Sequence, residues 1–137
     1  AANTTTSTTT GGPRREFFFH ATRLQVLAAR GFCQSNGGDL CSILDEEEQA
    51  IVDSWRLNQG GFYGTVWIGL WQNTTTQQWY WVDGSPVTYL NWDQGEGHPG
   101  DSEEVTAMYT NGEWDTWGYF DSTQHEHHVC CLRVVEP

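Results

Sequence analysis

Lysine is absent from this chain of 137 residues, and its six Arg face eighteen Asp and Glu, a formal charge of −12. Phosphate backbones are bound mainly by neutralising basic side chains, so this shortage excludes nucleic-acid binding and simple electrostatic attachment to anionic lipid. Long apolar runs are missing too. Phe17-Phe18-Phe19 and Thr65–Trp71 fall far short of the roughly 20 residues a membrane-spanning helix needs, so no membrane insertion is expected of this soluble acidic domain. No nucleophile–base motif appears among its serines and histidines, and an enzyme is not expected. What is abundant is aromatic: eight Trp, five Tyr and six Phe, enough to give one domain of this length a bulky core.

The four cysteines are unevenly placed, with Cys33 and Cys41 early and Cys130-Cys131 adjacent near the end. A vicinal bridge is strained, so both early cysteines are expected to bridge to the C-terminal strand. Each such link closes a loop of about 90–100 residues and contributes about 4–5 kcal/mol in the chain-entropy model. Reduced thiols, or a metal site shared with the nearby histidines, are the alternatives. Disulfides would fit a secreted or extracellular protein, as would two N-glycosylation triplets, Asn3-Thr4-Thr5 and Asn73-Thr74-Thr75. No signal peptide is visible, so export implies a chain in mature form.

Residues 1–15, rich in Thr with Gly11-Gly12-Pro13, have little to bury and read as a flexible, O-glycosylatable lead-in to a domain at 16–137. Phe17–His20 reads as a short strand, and Ala21 to about Ser35 as a helix with Leu24, Leu27 and Ala28 on one face, extended by Val26, Ala29 and Cys33. Asp45 with Glu48 forms a capping box, and Glu46–Glu48 suit the positive end of a second helix running to about Leu57 with Ile51 and Trp55 inward. The second half changes to short β-type runs, Val66–Trp71, Trp79–Val82, Val105–Tyr109 and Val129–Val135, broken by Asp83-Gly84 and Asn111-Gly112. Between Leu90 and Glu104 lies a long stretch without periodicity, and such a segment in a small domain is usually functional. Helices followed by an antiparallel sheet give an α+β fold class.

The ordered series Cys33-Gln-Ser-Asn-Gly37-Gly38-Asp-Leu40, Glu46-Glu47-Glu48-Gln49, Trp67-Ile68-Gly69-Leu70, Trp79-x-Trp81-x-Asp83-Gly84-Ser85, Asn91-Trp92, Gly95-Glu96, Asn111-Gly112-x-Trp114-Asp115 and Val129-Cys130 resembles the C-type lectin-like domain family over roughly residues 16 to 135. The resemblance implies two helices, two small antiparallel sheets, adjacent terminal strands and a long ligand-carrying loop. It implies Cys33–Cys130 as the whole-domain bridge, with Cys41–Cys131 the simplest second one; the swapped pairing stays open. The outer disulfide common in the family is missing, because Thr106 and about Tyr119 stand in its places.

Sugar-binding members of the family hold calcium with a Glu-Pro-Asn or Gln-Pro-Asp triplet, a later Glu and a Trp-Asn-Asp segment, whose oxygens also bond two vicinal sugar hydroxyls. Here Glu96-Gly97-His98 replaces the triplet, Pro99 is displaced, Glu104 matches the later Glu, and Trp114-Asp115-Thr116 replaces the last segment. The resemblance thus implies a metal site of Glu96, His98, Glu104 and Asp115, with Thr116, Asp101, His125 and His127 as additional candidates. The imidazole shifts this set toward zinc, while its carboxylates suit calcium, so the cofactor is one divalent ion, calcium or zinc. In extended backbone His125 and His127 point to one side, as a chelating pair needs; a polar lead-in to the last strand is the plainer reading. Trp67, Trp79, Trp81 and Trp92 match core positions, leaving Trp117 and Tyr119 to join Glu96, Glu104 and Asp115 in contacting ligand.

The function implied is a lectin that recognises a carbohydrate or glycoconjugate, microbial-surface sugars among them as in innate immunity, through the loop metal. The alternative is a metal-independent module of the same fold binding a protein partner. Ice binding, raised by Thr4–Thr10 and Thr74–Thr76, is a distant third, and an oligomer is left open.

Overall fold

The computed structural model describes residues 4–7, 15–57, 65–93, 105–109, 111–117 and 126–133. Its organising element is the strand β9 (Glu126–Arg133), against which the ten-residue β2 (Arg15–Leu24) pairs antiparallel from Arg15↔Arg133 to Leu24↔Glu126. The other edge of β9 is shared by β3 (Gly38–Leu40) and β4 (Val66–Ile68). Beyond β4 follow β7 (Val105–Met108) and β8 (Trp114–Trp117), while β1 (Thr4–Ser7) pairs with the outer edge of β2, giving a seven-stranded sheet. A separate hairpin joins β5 (Leu70–Asn73) to β6 (Gln78–Trp81). With α1 (Val26–Ser35) and α2 (Glu46–Leu57), these elements make the α+β arrangement of two helices and two sheets.

Because side chains alternate along a strand, β9 feeds two hydrophobic clusters at once. Val129 and Cys131 face the cluster of Phe17, Phe19, Trp55, Ile68, Met108 and Trp114. Cys130 faces the opposite cluster of Val26, Ala29, Cys33, Leu40 and Trp67. Each face is sealed by a disulfide, Cys33–Cys130 on one and Cys41–Cys131 on the other, spanning 97 and 90 residues.

Several elements differ from the sequence reading. The first helix starts at Val26, and residues 21–24 extend β2. Leu24 is committed to the sheet twice, pairing with Glu126 and accepting a 2.9 Å hydrogen bond at its carbonyl from Trp67 Nε1. The helix phase follows from the Cys33 bridge: Val26, Ala29 and Cys33 are buried, whereas Leu27 is 52% exposed and Ala28 is exposed. Thr4–Ser7, inside the stretch read as flexible, forms β1, where β-branched Thr residues suit pairing with β2. The run read as one strand from Val66 to Trp71 divides at Gly69, whose N–H donates to the Cys41 carbonyl at 2.9 Å while its own carbonyl accepts from Val82 N. A Cβ on Gly69 would lie 2.6 Å from the Leu40 carbonyl oxygen, so only glycine fits this approach. The remaining strands shift by a few residues, the last one starting at Glu126 rather than Val129.

The second helix agrees with its cap signals. Glu48 N donates to Asp45 Oδ1 at 2.9 Å, and Glu48 Oε1 accepts from Leu44 N at 2.7 Å. Trp55 is buried and stacks on Phe19 at 4.6 Å, while Ile51 is only half buried and Val52 takes the fully buried place. Arg56 is buried on the same helix and paired with Asp53.

The second disulfide gives a direct measure of this two-sided closure. Cys41→Ser combined with Cys131→Ser, leaving Cys33–Cys130 intact, is expected to lower the unfolding free energy by about 3 kcal/mol in urea, because through the remaining bridge the second one closes a ring of only about 11 residues in the unfolded chain.

Candidate functional site

Trp114 anchors the start of β8 in the core. It is fully buried, packed edge-on against Trp81 at 5.6 Å, Tyr89 at 5.9 Å and Trp92 at 6.0 Å. Trp79 extends the group, 4.9 Å from Trp92. Aromatic rings at these angles and separations gain electrostatically as well as by burial. The backbone is fixed as firmly. Trp114 N donates to the Asn91 carbonyl and Asp93 N donates to the Trp114 carbonyl, both at 2.9 Å, forming a parallel bridge between Trp92 and Trp114.

Gln49 of α2 completes the anchor. Its Oε1 accepts from Trp114 Nε1 at 3.0 Å, and its Nε2 donates to the Gly112 carbonyl at 2.7 Å. Asn91 Nδ2 donates to that same carbonyl at 3.0 Å. Gly112 has φ of 84°, and a Cβ there would meet the Asp53 carboxylate at 3.1 Å, so the turn into β8 needs glycine for both reasons.

Asp115 and Thr116 follow this anchor on β8, Asp115 half buried and Thr116 buried. In the β7–β8 register Asp115 lies across from Ala107, Thr116 across from Thr106, and Trp117 across from Val105. The residue following Glu104 in the chain is thus paired two places beyond Asp115. Thr106, one of the two places of the missing outer disulfide, is fully buried, as a residue facing Ile68 and Thr116 should be. Burial, and then the Glu46 and Asp45 carboxylates, push the Tyr89 phenol above its ordinary value of 10.0, so it stays neutral.

Of the sequence-predicted site, Asp115 and Thr116 are placed as successive residues of β8, their side chains on opposite faces of the strand. Glu96, His98, Asp101, Glu104, Tyr119 and His125 lie outside the described residues. Trp117 ends β8, and His127 lies on β9 across from Val66. The C-terminal histidine that the structure singles out is His128, which the sequence reading took only as part of a polar lead-in. It is fully buried, edge-on to Phe32 at 5.5 Å. His128 forms with Cys33 and Cys130 a cluster whose potential donor atoms lie within 4.8 Å of one another. With those sulfurs joined in a disulfide, neither is a thiolate ligand, and the imidazole packs against the bridge. Position 128 alternates inward with Cys130, a period-two signal legible once the strand is known to start at Glu126. Gln49 stands in the motif series, but its anchoring role is not readable there, since its partners lie 63 and 65 residues away.

Comparison with known proteins follows the same outline. The family model described as "Lectin C-type domain" matches residues 22–132. An 84-residue stretch is 34% identical to C-type mannose receptor 2 of Mus musculus, covering 60% of this chain and 6% of that protein, so the chain spans a small part of this relative. Human lithostathine superposes with a TM-score of 0.78 at 23% identity, over 93% of this chain and 97% of that one. The cow C-type carbohydrate-recognition domain of CD23, solved in the presence of a GlcNAc2Man3 oligosaccharide, gives 0.73 at 25% identity over 89% and 90% of the two chains.

The anchor is testable without any ligand. Gln49→Leu leaves the buried Trp114 Nε1 without its acceptor and is expected to cost about 1–3 kcal/mol in urea unfolding. Asn111→Ala, at an exposed turn, serves as the comparison and should lose no more than about 1 kcal/mol.

Proposed function

The chain belongs to the C-type lectin domain family, and on that premise we propose that it is a lectin recognising a carbohydrate or glycoconjugate through one divalent ion in the loop between Trp92 and Val105. Members of the family are non-enzymatic binding modules, and this chain is a binding module rather than an enzyme. The observation that carries the metal reading is the placement of Asp115. Its carboxylate follows the fully buried Trp114 on a strand held by Gln49 and Asn91, on the strand face opposite to Trp114 and Thr116. An oxygen donor on so fixed a strand is oriented before a ligand arrives, which lowers the entropic cost of binding.

The donor chemistry fits a divalent cation. Asp115 and Thr116, with Glu96 and Glu104, offer hard oxygens of the kind calcium takes in sixes to eights. His98 adds an imidazole, which zinc accepts readily. Asp101, His125 and His127 are reserve donors. When bound, the ion supplies a Lewis-acidic anchor for two neighbouring sugar hydroxyls. Carboxylates such as Asp115 then accept hydrogen bonds from those hydroxyls, and the rings of Trp117 and Tyr119 cover the apolar face of the sugar. The acidic surface favours a neutral glycan or one with basic groups over an anionic polymer, because a charge of −12 repels the latter. The two disulfides support an extracellular setting, where such bonds persist. No helix among the described residues is long and apolar enough to cross a membrane.

A second reading, metal-independent binding of a protein, has an observation of its own. Tyr80, Val87 and Leu90 are each more than 40% exposed within one short stretch. Exposed large apolar side chains often mark a protein contact where they form one patch.

Calorimetric titration of the chelator-stripped domain with calcium and with zinc separates the readings. One ion is expected to bind at a single site, and Glu104→Ala and Asp115→Ala are each expected to weaken it at least tenfold while retaining the parent's unfolding midpoint. Retention on a glycan resin should then require that ion. If both variants bind metal as the parent does, the loop is not the metal site and the protein-binding reading takes its place.

A further inference from the structure

We propose that Asn73 is an N-glycosylation site, carrying its glycan at the tip of the β5–β6 hairpin, away from the long loop in sequence. The proposal takes the extracellular reading above as its premise. Asn73-Thr74-Thr75 has the acceptor pattern, in which the hydroxyl two places after Asn is needed for recognition. Many such triplets are spoiled by burial or by a fold that ties up the amide nitrogen, and this one is not. Residues 73–78 are all exposed. Asn73 ends β5, pairing with Gln78 at the start of β6, so it stands at the mouth of the turn.

The turn also sorts the two ends of the Asn73 amide. Its Oδ1 accepts from Thr75 N at 2.9 Å and from Thr76 N at 3.2 Å. The turn is closed by Gln77 N donating to the Asn73 carbonyl at 2.6 Å, with Gln77 at φ of 63°. The oxygen is thereby turned inward onto the backbone, and among the described residues Nδ2 has no acceptor. Nδ2 is the atom that has to react. Transfer from a lipid-linked oligosaccharide joins Nδ2 to C1 of the first sugar and breaks the C1–O bond to the lipid pyrophosphate. The pyrophosphate leaves with the electron pair, and one amide proton passes to a base of the transferase.

The neighbouring surface suits a sugar. Across the hairpin, Trp71 pairs with Tyr80 and Asn73 with Gln78, so Asn73 and Tyr80 lie on the same face, diagonal to each other. Tyr80 is 43% exposed, a ring of the size that a first sugar residue covers through its apolar face. The glycan thus adds no clash with a packed element and covers apolar surface that the fold leaves open.

The test uses the whole chain behind a cleavable leader, translated with microsomes. Asn3→Gln leaves Asn73 as the acceptor of interest. This chain is expected to gain one endoglycosidase-sensitive increment in mass, lost when Asn73→Gln or Thr75→Ala is added, and peptide mass spectrometry should find the sugar on Asn73. Protease protection and leader cleavage report entry into the lumen separately from modification. A chain that is protected and cleaved yet unmodified at Asn73 overturns the proposal while leaving the lectin reading intact.

Discussion

Two adjacent residues on an extended strand point to opposite faces of the sheet, and in this protein both are cysteines. Cys130 ties β9 to α1 through Cys33, and Cys131 ties it to the segment after β3 through Cys41. A one-residue slip of β9 would exchange the two faces and present each sulfur to the wrong partner, so register and disulfide pairing enforce one another. The rest of the sheet is built on that setting. Phe17 and Phe19 of β2 join the Cys131 side, whereas Leu40 of β3 and Trp67 of β4 join the Cys130 side. Losing this strand's register would cost both cores together.

The start of β8 is tied to the same core through a shorter chain of contacts. Trp114 belongs to the cluster that contains Cys131, and Gln49 links it to α2. Asp115 and Thr116 therefore stand on a strand whose first residue belongs to the interior. This separates two requirements that compete in small binding domains. Packing is satisfied by Trp114 on one side of the peptide bond, and polar chemistry is left to the residues that follow. Loops positioned by a rigid scaffold are where binding residues concentrate.

Much of this was legible in the sequence, because the signals that mattered were local or covalent. Asp45 and Glu48 announced the start of α2, and the cysteine pairing implied by the resemblance is the one formed. Gly69 within Trp67-Ile68-Gly69-Leu70 was readable as part of a motif, although its cause, the Leu40 carbonyl at van der Waals limits, is non-local. The start of α1 was misread for a physical reason. Residues 21–24 alternate too little to declare a strand, and their extended form comes from pairing with residues about a hundred positions later. Leu27 illustrates the same limit, since helical spacing gives a face but not its phase against the core, which Cys33 fixes. Of the metal set, the carboxylates could be named by position, but only Asp115 and Thr116 acquire a structural setting. Gln49 and His128 were not legible as important, because a glutamine near a helix start and a histidine in a polar run look ordinary until distant partners arrive.

The nested bridges also govern what happens after a backbone is cut. A single proteolytic cleavage anywhere between residues 42 and 129 leaves one piece with Cys33 and Cys41 and the other with Cys130 and Cys131, joined by two covalent links. Nothing is released, and β2 and β9 remain paired within reach of one another. In a protease-rich setting a single nick between the bridges interrupts the chain without a loss of mass. Separation into fragments requires reduction as well as cleavage, which makes destruction of the domain a two-key process.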